Sequence, residues 1–517
     1  MKRFFVGLAV IALVAAGCSS GSDSAKSAKN DDATGACATN VVANPDDGGK
    51  TIPALIASAT KSVDIIIYQI GDPDIQSALL AAMANGVEVR VSMDNYSSST
   101  ATPNDAFVNA MVTAATAASP STLSNFQANW SSSNFNITHQ KTVIIDGNGG
   151  GAPCLLISTG NFYSSSYGKY WAARDFYVTT GDPSLISQAE SVFSSDFSCD
   201  GDTVTNGILA ETSGPLLYSN GSFLPGTSTY PPYNDGYYPG GKPISTPGTN
   251  QGNVGPYQVA LIDSAAKGDV ISIYNEELKS DTNYLGELWN ALIAALAKGV
   301  NVQIFMSAPP SQSENPLYGQ DKDFVTLAAA GASVHLLAAE AYLQESSTGF
   351  PSGNPTYIHA KAFLLNDSAG NFIDGYVGST NGSSNSIYFN RELGLALKNY
   401  PALAKSIQAT FTKDFSIANP AAPAAPFNFT VPKVAPATGG LYPVAWYAKG
   451  FGNDNPRITA SGSVLEDALA RQACGAAFTP PATTTSAAAA TTTTSSSTTS
   501  TSSTTTTTLV ESLPPPP

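Results

Sequence analysis

Histidine and positive charge are both scarce in this chain. It has only 3 histidines, and its 24 lysines and arginines are outnumbered by 39 aspartates and glutamates, which gives a net charge of -15. Long nucleic acids are bound mainly through lysine and arginine, so this balance disfavours them as substrates, although a local basic pocket would still be compatible with one. So few histidines, with no Cys-x-x-Cys spacing, argue against a zinc site. The length of 517 residues predicts roughly two to four domain-sized units.

The N-terminus is typical of an export signal. Two basic residues precede an apolar stretch over 4–16, which is too short to span a bilayer as a stable helix, and small residues then lead to Cys18. This site resembles the lipobox of bacterial lipoproteins, in which Cys18 would carry the lipid anchor; ordinary secretion with loss of Cys18 is the alternative. We expect a signal peptide over 1–18, a tether over 19–40, and an exported protein that is either held at the cell envelope or secreted.

Export would place the other cysteines where thiols can oxidise. They form an even set whose pairing the sequence alone does not determine: Cys37, Cys154, Cys199 and Cys474. We predict a disulfide between Cys154 and Cys199, which leaves Cys37 to pair with Cys474 and to tie the two ends of the core together.

An internal repeat sets the architecture. The segment 79–93 (LLAAMANGVEVRVSM) returns as 292–306 (LIAALAKGVNVQIFM), and in both a helical stretch ends at a glycine before a β-rich run. Strand, helix and strand repeated with buried apolar runs predict an α/β fold. We expect two similar halves, over 41–200 and 257–418, each a mixed β-sheet flanked by helices and packed about a pseudo-twofold axis. Each half closes with a similar helix end, FSSDF in the first and FTKDF in the second.

Three segments lie between or after the halves. Residues 201–256 are rich in Pro, Gly and Tyr, and we interpret them as a long ordered loop, with a lipid-contacting lip as the alternative. Residues 419–478 carry several aromatic side chains and are expected to cap the second half. The Thr/Ser-rich tail over 479–517 cannot bury enough apolar surface to fold, so we predict that it is disordered.

Two of the histidines have matching surroundings. His139 and Lys141 begin an apolar run in the first half, as His359 and Lys361 do in the second. Side chains two positions apart on a strand point to the same face, so each motif places an imidazole beside an ammonium. The same residue types follow in both halves, with each asparagine 22 positions after its histidine: Asn161 and Asn381, then Arg174-Asp175 and Arg391-Glu392. The third histidine, His335, is interpreted as an ordinary core residue.

This duplicated pattern resembles the phospholipase D superfamily, whose signature is a repeated His-x-Lys-x4-Asp motif followed by a Gly/Ser-rich segment with Asn. The resemblance covers about 50–418. It implies catalysis through a covalent phosphohistidine, with His139 as the nucleophile and His359 as the acid that later activates water, although sequence symmetry alone does not assign these roles. One departure is that the first motif keeps Asp146, whereas the second has Asn366 in that place. Asp146 and Asn366 each end the predicted strand that follows the His and Lys of their motif. Because a residue in that place points away from the face that carries the His and Lys, we expect a structural role for both.

The residue types also suit phosphodiester chemistry. The transition state needs a nucleophile on one side of phosphorus, an acid on the other, and cations or amides on the equatorial oxygens. The two histidines supply the first two groups. Lys141, Lys361, Asn161 and Asn381 supply the third, without a metal or another cofactor. We expect Asp175 and Glu392 each to accept the second ring N–H of the histidine in the opposite half. Arg174 and Arg391 are interpreted as surface charges.

Three main functions and one further possibility remain open from the sequence. The first is a phospholipase D that hydrolyses glycerophospholipid head groups at a membrane surface, and that by resemblance could also transfer the phosphatidyl group to an alcohol. The second is a secreted nuclease of the same superfamily, although no Lys/Arg cluster marks a strand-binding groove. The third is a non-catalytic surface binding protein, which the intact motifs disfavour. A cardiolipin-synthase-like enzyme is a further possibility, but the transmembrane helices that such a resemblance implies are absent from the sequence. We favour the first, as a monomer with no stable nucleic-acid partner.

Overall fold

The computed structural model describes most of the two predicted halves. The described residues are 37–94, 103–130, 137–162, 173–198, 215–220, 254–280, 287–307, 320–339, 357–383, 386–387, 390–416, 426–430 and 433. The expected signal peptide over 1–18, the tail over 479–517, Cys199 and Cys474 lie outside these residues. Of the tyrosines in 201–256 that suggested a lipid-contacting lip, Tyr218 is described, and Tyr230, Tyr233, Tyr237 and Tyr238 lie outside the described residues.

Strands and helices alternate along most of the first half. Its elements are β1 (Asn40–Asn44), α1 (Thr51–Ser58), β2 (Ser62–Ile67), α2 (Pro73–Ala84), β3 (Glu88–Met93), α3 (Pro103–Ala118), α4 (Pro120–Leu123), β4 (Phe126–Trp130), β5 (Thr142–Ile145), β6 (Cys154–Ser158), β7 (Ala173–Thr180) and α5 (Pro183–Ser198).

The second half repeats this order with small additions. Its elements are β8 (Leu216–Asn220), α6 (Val254–Ser264), β9 (Val270–Tyr274), α7 (Glu287–Lys298), β10 (Asn301–Ser307), α8 (Gln320–Ala330), β11 (Ser333–Ala339), β12 (Tyr357–Ile358), β13 (Lys361–Asn366), β14 (Phe372–Gly378), β15 (Arg391–Ala396), α9 (Pro401–Phe415) and β16 (Pro426–Thr430). The glycines that follow α2 and α7 in the repeat, Gly86 and Gly299, have φ angles of 83° and 89°, the left-handed conformation expected at a helix end.

Two mixed sheets carry the fold. The first has the strand order β1-β7-β6-β5-β2-β3-β4, and the second has the order β8-β15-β14-β13-β9-β10-β11-β16. In both, three neighbouring strands are parallel, β2-β3-β4 and β9-β10-β11, and the strands on the β5 or β13 side are antiparallel. Equivalent strands occupy equivalent positions in the two sheets. The predicted α/β fold with two similar halves is therefore confirmed.

One apolar core joins the two halves. It contains Val178 and Phe193 from the first half and Leu364 and Phe411 from the second, all almost fully buried. Two further cores lie within the single halves, where each sheet packs against its helices. Because the sheets are covered on both faces, strands such as β2 and β15 are buried along their whole length, as in other sheets between helical layers.

The disulfide differs from the predicted one. Cys37 is bonded to Cys154, with their Cα atoms 5.4 Å apart, so both predicted bonds, Cys154 to Cys199 and Cys37 to Cys474, are wrong. The reason is the position of β1, which adds to the sheet beside β7 and pairs Asn40 with Thr179. On its other side β7 pairs with the start of β6, so the residues just before β1 reach Cys154. This contact between distant segments has no local signal in the sequence.

The segment that connects the halves contributes a strand to the second sheet. Within it, β8 pairs with β15, and Tyr218 of β8 is buried against the guanidinium of Arg391, 5.2 Å from its ring centroid. This ring therefore packs on the domain. In the part of the chain that the structure describes, none of the helices has the length and hydropathy needed to cross a bilayer.

Candidate active site

The two histidine motifs are held by the backbone of the opposite half. The N–H groups of His139 and Gln140 both donate to the carbonyl oxygen of Arg391, at 2.8 Å. In the same way, the N–H groups of His359 and its neighbour donate to the carbonyl oxygen of Arg174, at 3.2 and 2.8 Å. Each motif therefore leads into β5 or β13 of its own half while the residues beside it pair with an arginine strand of the other half.

The carboxylates that follow these arginines contact the histidines across the halves. His139 Nδ1 lies 3.0 Å from both carboxylate oxygens of Glu392, and His359 Nδ1 lies 2.9 Å from Asp175 Oδ1. This is the cross-half arrangement that the sequence analysis expects. The predicted site residues are all buried: His139, Lys141, Asn161, Asp175, His359, Lys361, Asn381 and Glu392.

Hydrogen bonds fix the Glu392 carboxylate. The hydroxyl of Ser379 donates to Oε2 at 2.5 Å, the hydroxyl of Ser386 donates to Oε1, and the amide of Asn390 donates to Oε1 at 3.1 Å. Burial raises the pKa of Glu392, but the nearby His139 and Lys141 and the Ser379 hydroxyl outweigh it and hold that pKa below the usual value. Glu392 is therefore an anion that accepts the Nδ1–H of His139.

This arrangement leaves the other ring nitrogen of His139 with its lone pair. Burial lowers the pKa of His139 to about 4, and the attraction of Glu392 only partly opposes this effect. Among the described residues none forms a hydrogen bond with Nε2 of His139. A neutral imidazole with Nδ1–H bound to a carboxylate and a free Nε2 lone pair is suited to nucleophilic attack.

The two motif lysines lie close enough for the charge of Lys361 to lower the pKa of Lys141. The ammonium of Lys141 donates to the carbonyl oxygen of His139 at 2.5 Å, and the ammonium of Lys361 lies 3.2 Å from His359 Nε2. Burial and, to a smaller extent, the charge of Lys361 together lower the pKa of Lys141 to about 7. Lys361 also lowers the pKa of His139. The motifs from the two halves thus form one electrostatic cluster.

The two asparagines lie on loops that follow β6 and β14. Asn161 and Asn381 are both 6% exposed, and the loop of each is bridged to the loop after β2 or β9 of the same half. Gly160 lies beside the first asparagine, and a Cβ at that position would come within 2.2 Å of Asp175 Oδ2. Only glycine therefore leaves room for the carboxylate that contacts His359.

The structure places Asp146 and Asn366 in local, structural surroundings. The Asp146 carboxylate accepts the backbone N–H groups of Thr60, Lys61 and Ser62 and so ties the β5–β6 turn to the start of β2. Burial opposes its ionisation, but these hydrogen bonds lower the pKa of Asp146. In the second half the Asn366 amide instead donates to Gln408 of α9, at 3.0 Å.

Arg174 and Arg391 are buried rather than exposed, so their interpretation as surface charges is wrong. Arg174 donates from Nε and Nη2 to Asp414, at 2.6 and 3.0 Å, and Arg391 donates from Nε and Nη2 to Asp196, both at 2.9 Å. These aspartates lie in the two similar helix ends of the repeat. Each ion pair joins one half to the other, so the arginines position the histidine strands although they are not part of the predicted site.

Sequence reasoning missed two residues that contact the motifs, Tyr68 and Glu276. The Tyr68 ring lies 5.2 Å from the His139 ring and 5.5 Å from the Lys141 ammonium. The Glu276 carboxylate lies 2.8 Å from the Lys361 ammonium. Both residues follow an apolar strand, β2 or β9, and this position is the one signal that the sequence carries for them.

Asp94 lies beside the first motif, and His335 packs against an aromatic ring of α9. Asp94 follows β3 and accepts the N–H of Thr138 at 2.5 Å, and burial raises the pKa of Asp94 to about 7. His335 stacks on Phe415 with ring centroids 3.9 Å apart, so it packs away from the two motifs. Within the described ranges no cluster of three or more His, Cys, Asp or Glu side chains is arranged to hold a metal ion.

Solved structures with a similar fold come from several enzymes. Phosphatidylserine synthase of Haemophilus influenzae is 14% identical with a TM-score of 0.48, and the match covers 74% of this chain and 88% of that one. Polyphosphate kinase of Porphyromonas gingivalis is 14% identical with a TM-score of 0.44 over 75% of this chain, which spans only 53% of the kinase. Nuc of Salmonella typhimurium, a phospholipase D family member, is 20% identical with a TM-score of 0.25 over 31% of this chain and 94% of that one.

Family comparison agrees with the paired motifs. No curated protein matches this chain. A family model described as the PLD-like domain of cardiolipin synthase matches residues 52–197 and 259–415, which are the two halves and more than half of the chain. With both motifs inside the matched segments, the chain belongs to this PLD-like family of the phospholipase D superfamily.

Proposed function

We propose that this protein is a phospholipase D-type phosphodiesterase that releases the head-group alcohol of glycerophospholipids through a phosphohistidine at His139. The observation that carries the proposal is the state of His139, whose Nδ1 is held by Glu392 while Nε2 has no hydrogen-bond partner among the described residues. The charge of Lys361 reaches this ring from the other half, which supports a single site built from both motifs.

In the first step, the Nε2 lone pair of His139 attacks phosphorus and forms an N–P bond. The P–O bond to the head group breaks, and His359 gives its Nε2 proton to the departing oxygen. Lys141, Lys361 and the two asparagines stabilise the non-bridging oxygens. Glu392 stabilises the positive charge that develops on His139, because its carboxylate is already at hydrogen-bond distance from Nδ1.

In the second step, the neutral His359 removes a proton from water. The water oxygen attacks phosphorus, the N–P bond breaks, and the electron pair returns to Nε2 of His139, which releases phosphatidic acid. Asp175 holds His359 at Nδ1 throughout, so that Nε2 faces the reaction. A small primary alcohol in place of water would give transphosphatidylation by the same route.

The net charge of -15 supports a lipid over a long polyanion as the substrate. The description of the matching family model, cardiolipin synthase, also supports phospholipid chemistry. The N-terminal pattern supports export, with the protein either anchored to the cell envelope through Cys18 or secreted. We propose that the protein acts there as a monomer, on a phospholipid substrate at a membrane surface.

The test is to incubate the purified protein, without added metal, with phosphatidylcholine vesicles and separately with single-stranded DNA. Choline release without strand cleavage is expected. Strand cleavage without choline release would instead support the nuclease alternative. Neither activity, in a protein shown to be folded, would contradict both and leave a binding role.

A further inference from the structure

A carboxylate occupies the second half of the site. Oε2 of Glu276 lies 2.8 Å from the ammonium of Lys361, 3.3 Å from Nε2 of His359 and 3.4 Å from the amide nitrogen of Asn381. These are the three groups of the second half that would bind or protonate a substrate oxygen. A single anionic oxygen therefore lies where the three donors converge.

The first half has a different residue at the equivalent place. Thr142 follows His139 by three positions and pairs with Ile66, and Ala362 follows His359 by three positions and pairs with Tyr274. Tyr68 lies two residues after Ile66 of β2, and Glu276 lies two residues after Tyr274 of β9, so the two side chains occupy equivalent places. Tyr68 presents an aromatic ring to its motif, whereas Glu276 presents a carboxylate to the second motif.

The backbone around Glu276 is well anchored. The Asn275 side chain accepts the N–H groups of Glu277 and Gly382, and Gly382 forms two further backbone hydrogen bonds, with Glu277 and Lys279. A substrate oxygen that replaces the Glu276 carboxylate would therefore have to move that side chain rather than the backbone of this loop.

We infer that Glu276 is a specificity-determining residue whose carboxylate occupies the position of a substrate oxygen in the second half of the site, so that a substrate must displace it. This inference rests on the proposed phosphodiesterase function. A small free anion such as phosphate has only its own charge with which to displace the carboxylate. A phospholipid also gains binding energy from its non-reacting parts, and that energy can be used for the displacement. Glu276 thus selects against free phosphate and in favour of a diester with a large remainder.

The direct test is the affinity of the folded, full-length protein for inorganic phosphate, measured by calorimetry. Glu276→Gln removes the charge and is expected to bind phosphate on the order of tenfold more tightly than the unmodified protein. The matched control is Glu277→Gln, because the neighbouring Glu277 forms its ion pair with Lys279 instead. This control is expected to leave phosphate affinity unchanged.

Several results would overturn the inference. One is equal or weaker phosphate binding by folded Glu276→Gln. Another is that Glu276→Gln leaves phosphate affinity unchanged but shifts the pH–rate profile. That result would make Glu276 a residue that positions the proton of His359. Asp175 and Lys361 also face that ring. If Glu276→Gln fails to fold, Glu276→Ala replaces it, and unfolding of both variants would assign the carboxylate a structural role.

Phosphate binding does not require turnover, so this experiment separates the two proposals. Failure of choline release together with tighter phosphate binding by Glu276→Gln would contradict the phospholipase function but not the role of Glu276. Choline release with equal phosphate affinity in all variants would support the phospholipase function and contradict the role of Glu276. Where choline release is seen, phosphate should also inhibit Glu276→Gln at a concentration on the order of tenfold lower.

Discussion

The carboxylate of Glu392 lies within 3.0 Å of the His139 ring, although 253 positions separate the two residues in the chain. The equivalent pair of the other half, Asp175 and His359, is separated by 184 positions. Because both pairs cross between the halves, neither histidine has its carboxylate unless the two halves are correctly packed.

Removal of the Glu392 charge should impair catalysis more than folding. In Glu392→Gln the amide oxygen can still accept the Nδ1–H of His139, but it cannot stabilise the positive charge that develops on the ring. We expect kcat to fall by about 10²–10⁴-fold. Steady-state kinetics test this, with Asp367→Asn as the control, because Asp367 lies in the exposed β13–β14 turn. Equal kinetics for the two variants would contradict the assigned role.

The two histidines should fail at different steps. With a p-nitrophenyl phosphodiester the leaving group needs no acid, so His359→Ala should still form the N–P bond at His139 and release one equivalent of nitrophenol. His139→Ala should release none. Stopped-flow absorbance and mass spectrometry of the acid-quenched protein would detect the burst and the phosphorylated peptide. A burst from His139→Ala but not from His359→Ala would reverse the assignment.

The pH dependence should have two limbs. His139 must be neutral, so activity should rise as the pH increases through about 4, the lowered pKa of that ring. Lys141 must be charged, so activity should fall as the pH increases through about 7, where its buried ammonium loses the proton. A profile of kcat/KM against pH tests both limbs. Lys141→Arg keeps a charge at all these pH values, so with a p-nitrophenyl phosphodiester, whose leaving group needs no proton from His359, any residual burst of that variant should lack the upper limb.

The buried ion pairs between the halves should contribute strongly to stability. Asp414→Asn removes the charge that faces the buried Arg174, and we expect it to lower the free energy of unfolding by about 3–5 kcal/mol. The neighbouring Lys413 is half exposed and lies 3.8 Å from Asp46, so Lys413→Gln should cost at most about 1 kcal/mol. Urea unfolding of the two variants tests this difference. Similar small values for both would show that the Arg174 pair is not important for stability.

The disulfide should be detectable and stabilising. Peptide mapping of the oxidised protein without reduction should find Cys37 linked to Cys154. Because the bond closes a sequence separation of 117, Cys37→Ser should lower the free energy of unfolding by about 2–5 kcal/mol. A linked peptide that joins Cys154 to Cys199 instead would contradict the structure.

The repeat carries most of the information that the sequence holds about the site. The histidines, lysines and asparagines recur at matching spacings, so the two sheets and the convergence of two motifs could be predicted. The Asp196 and Asp414 helix ends were visible in the same repeat. Their partnership with the buried arginines was missed, because charged side chains are usually exposed and only the packed halves show that each guanidinium faces an aspartate.

Other features depend on contacts that no local pattern contains. Glu276 reaches Lys361 because β9 pairs with β13 in one particular register, and a shift of one residue would turn it to the opposite face. The Cys37–Cys154 bond likewise depends on β1 joining the edge of the sheet beside β7. The sequence identifies the strands, but these partners follow only from how distant strands are paired.

The different residues at Tyr68 and Glu276 show what a single chain with two halves permits. In an assembly of two identical subunits, one codon would serve both sides of the phosphorus, so a glutamate near one imidazole would be present near the other as well. Here the two sides are encoded separately. Natural selection can therefore adjust the side of His139 for nucleophilicity and the side of His359 for discrimination between substrates, without a compromise between the two.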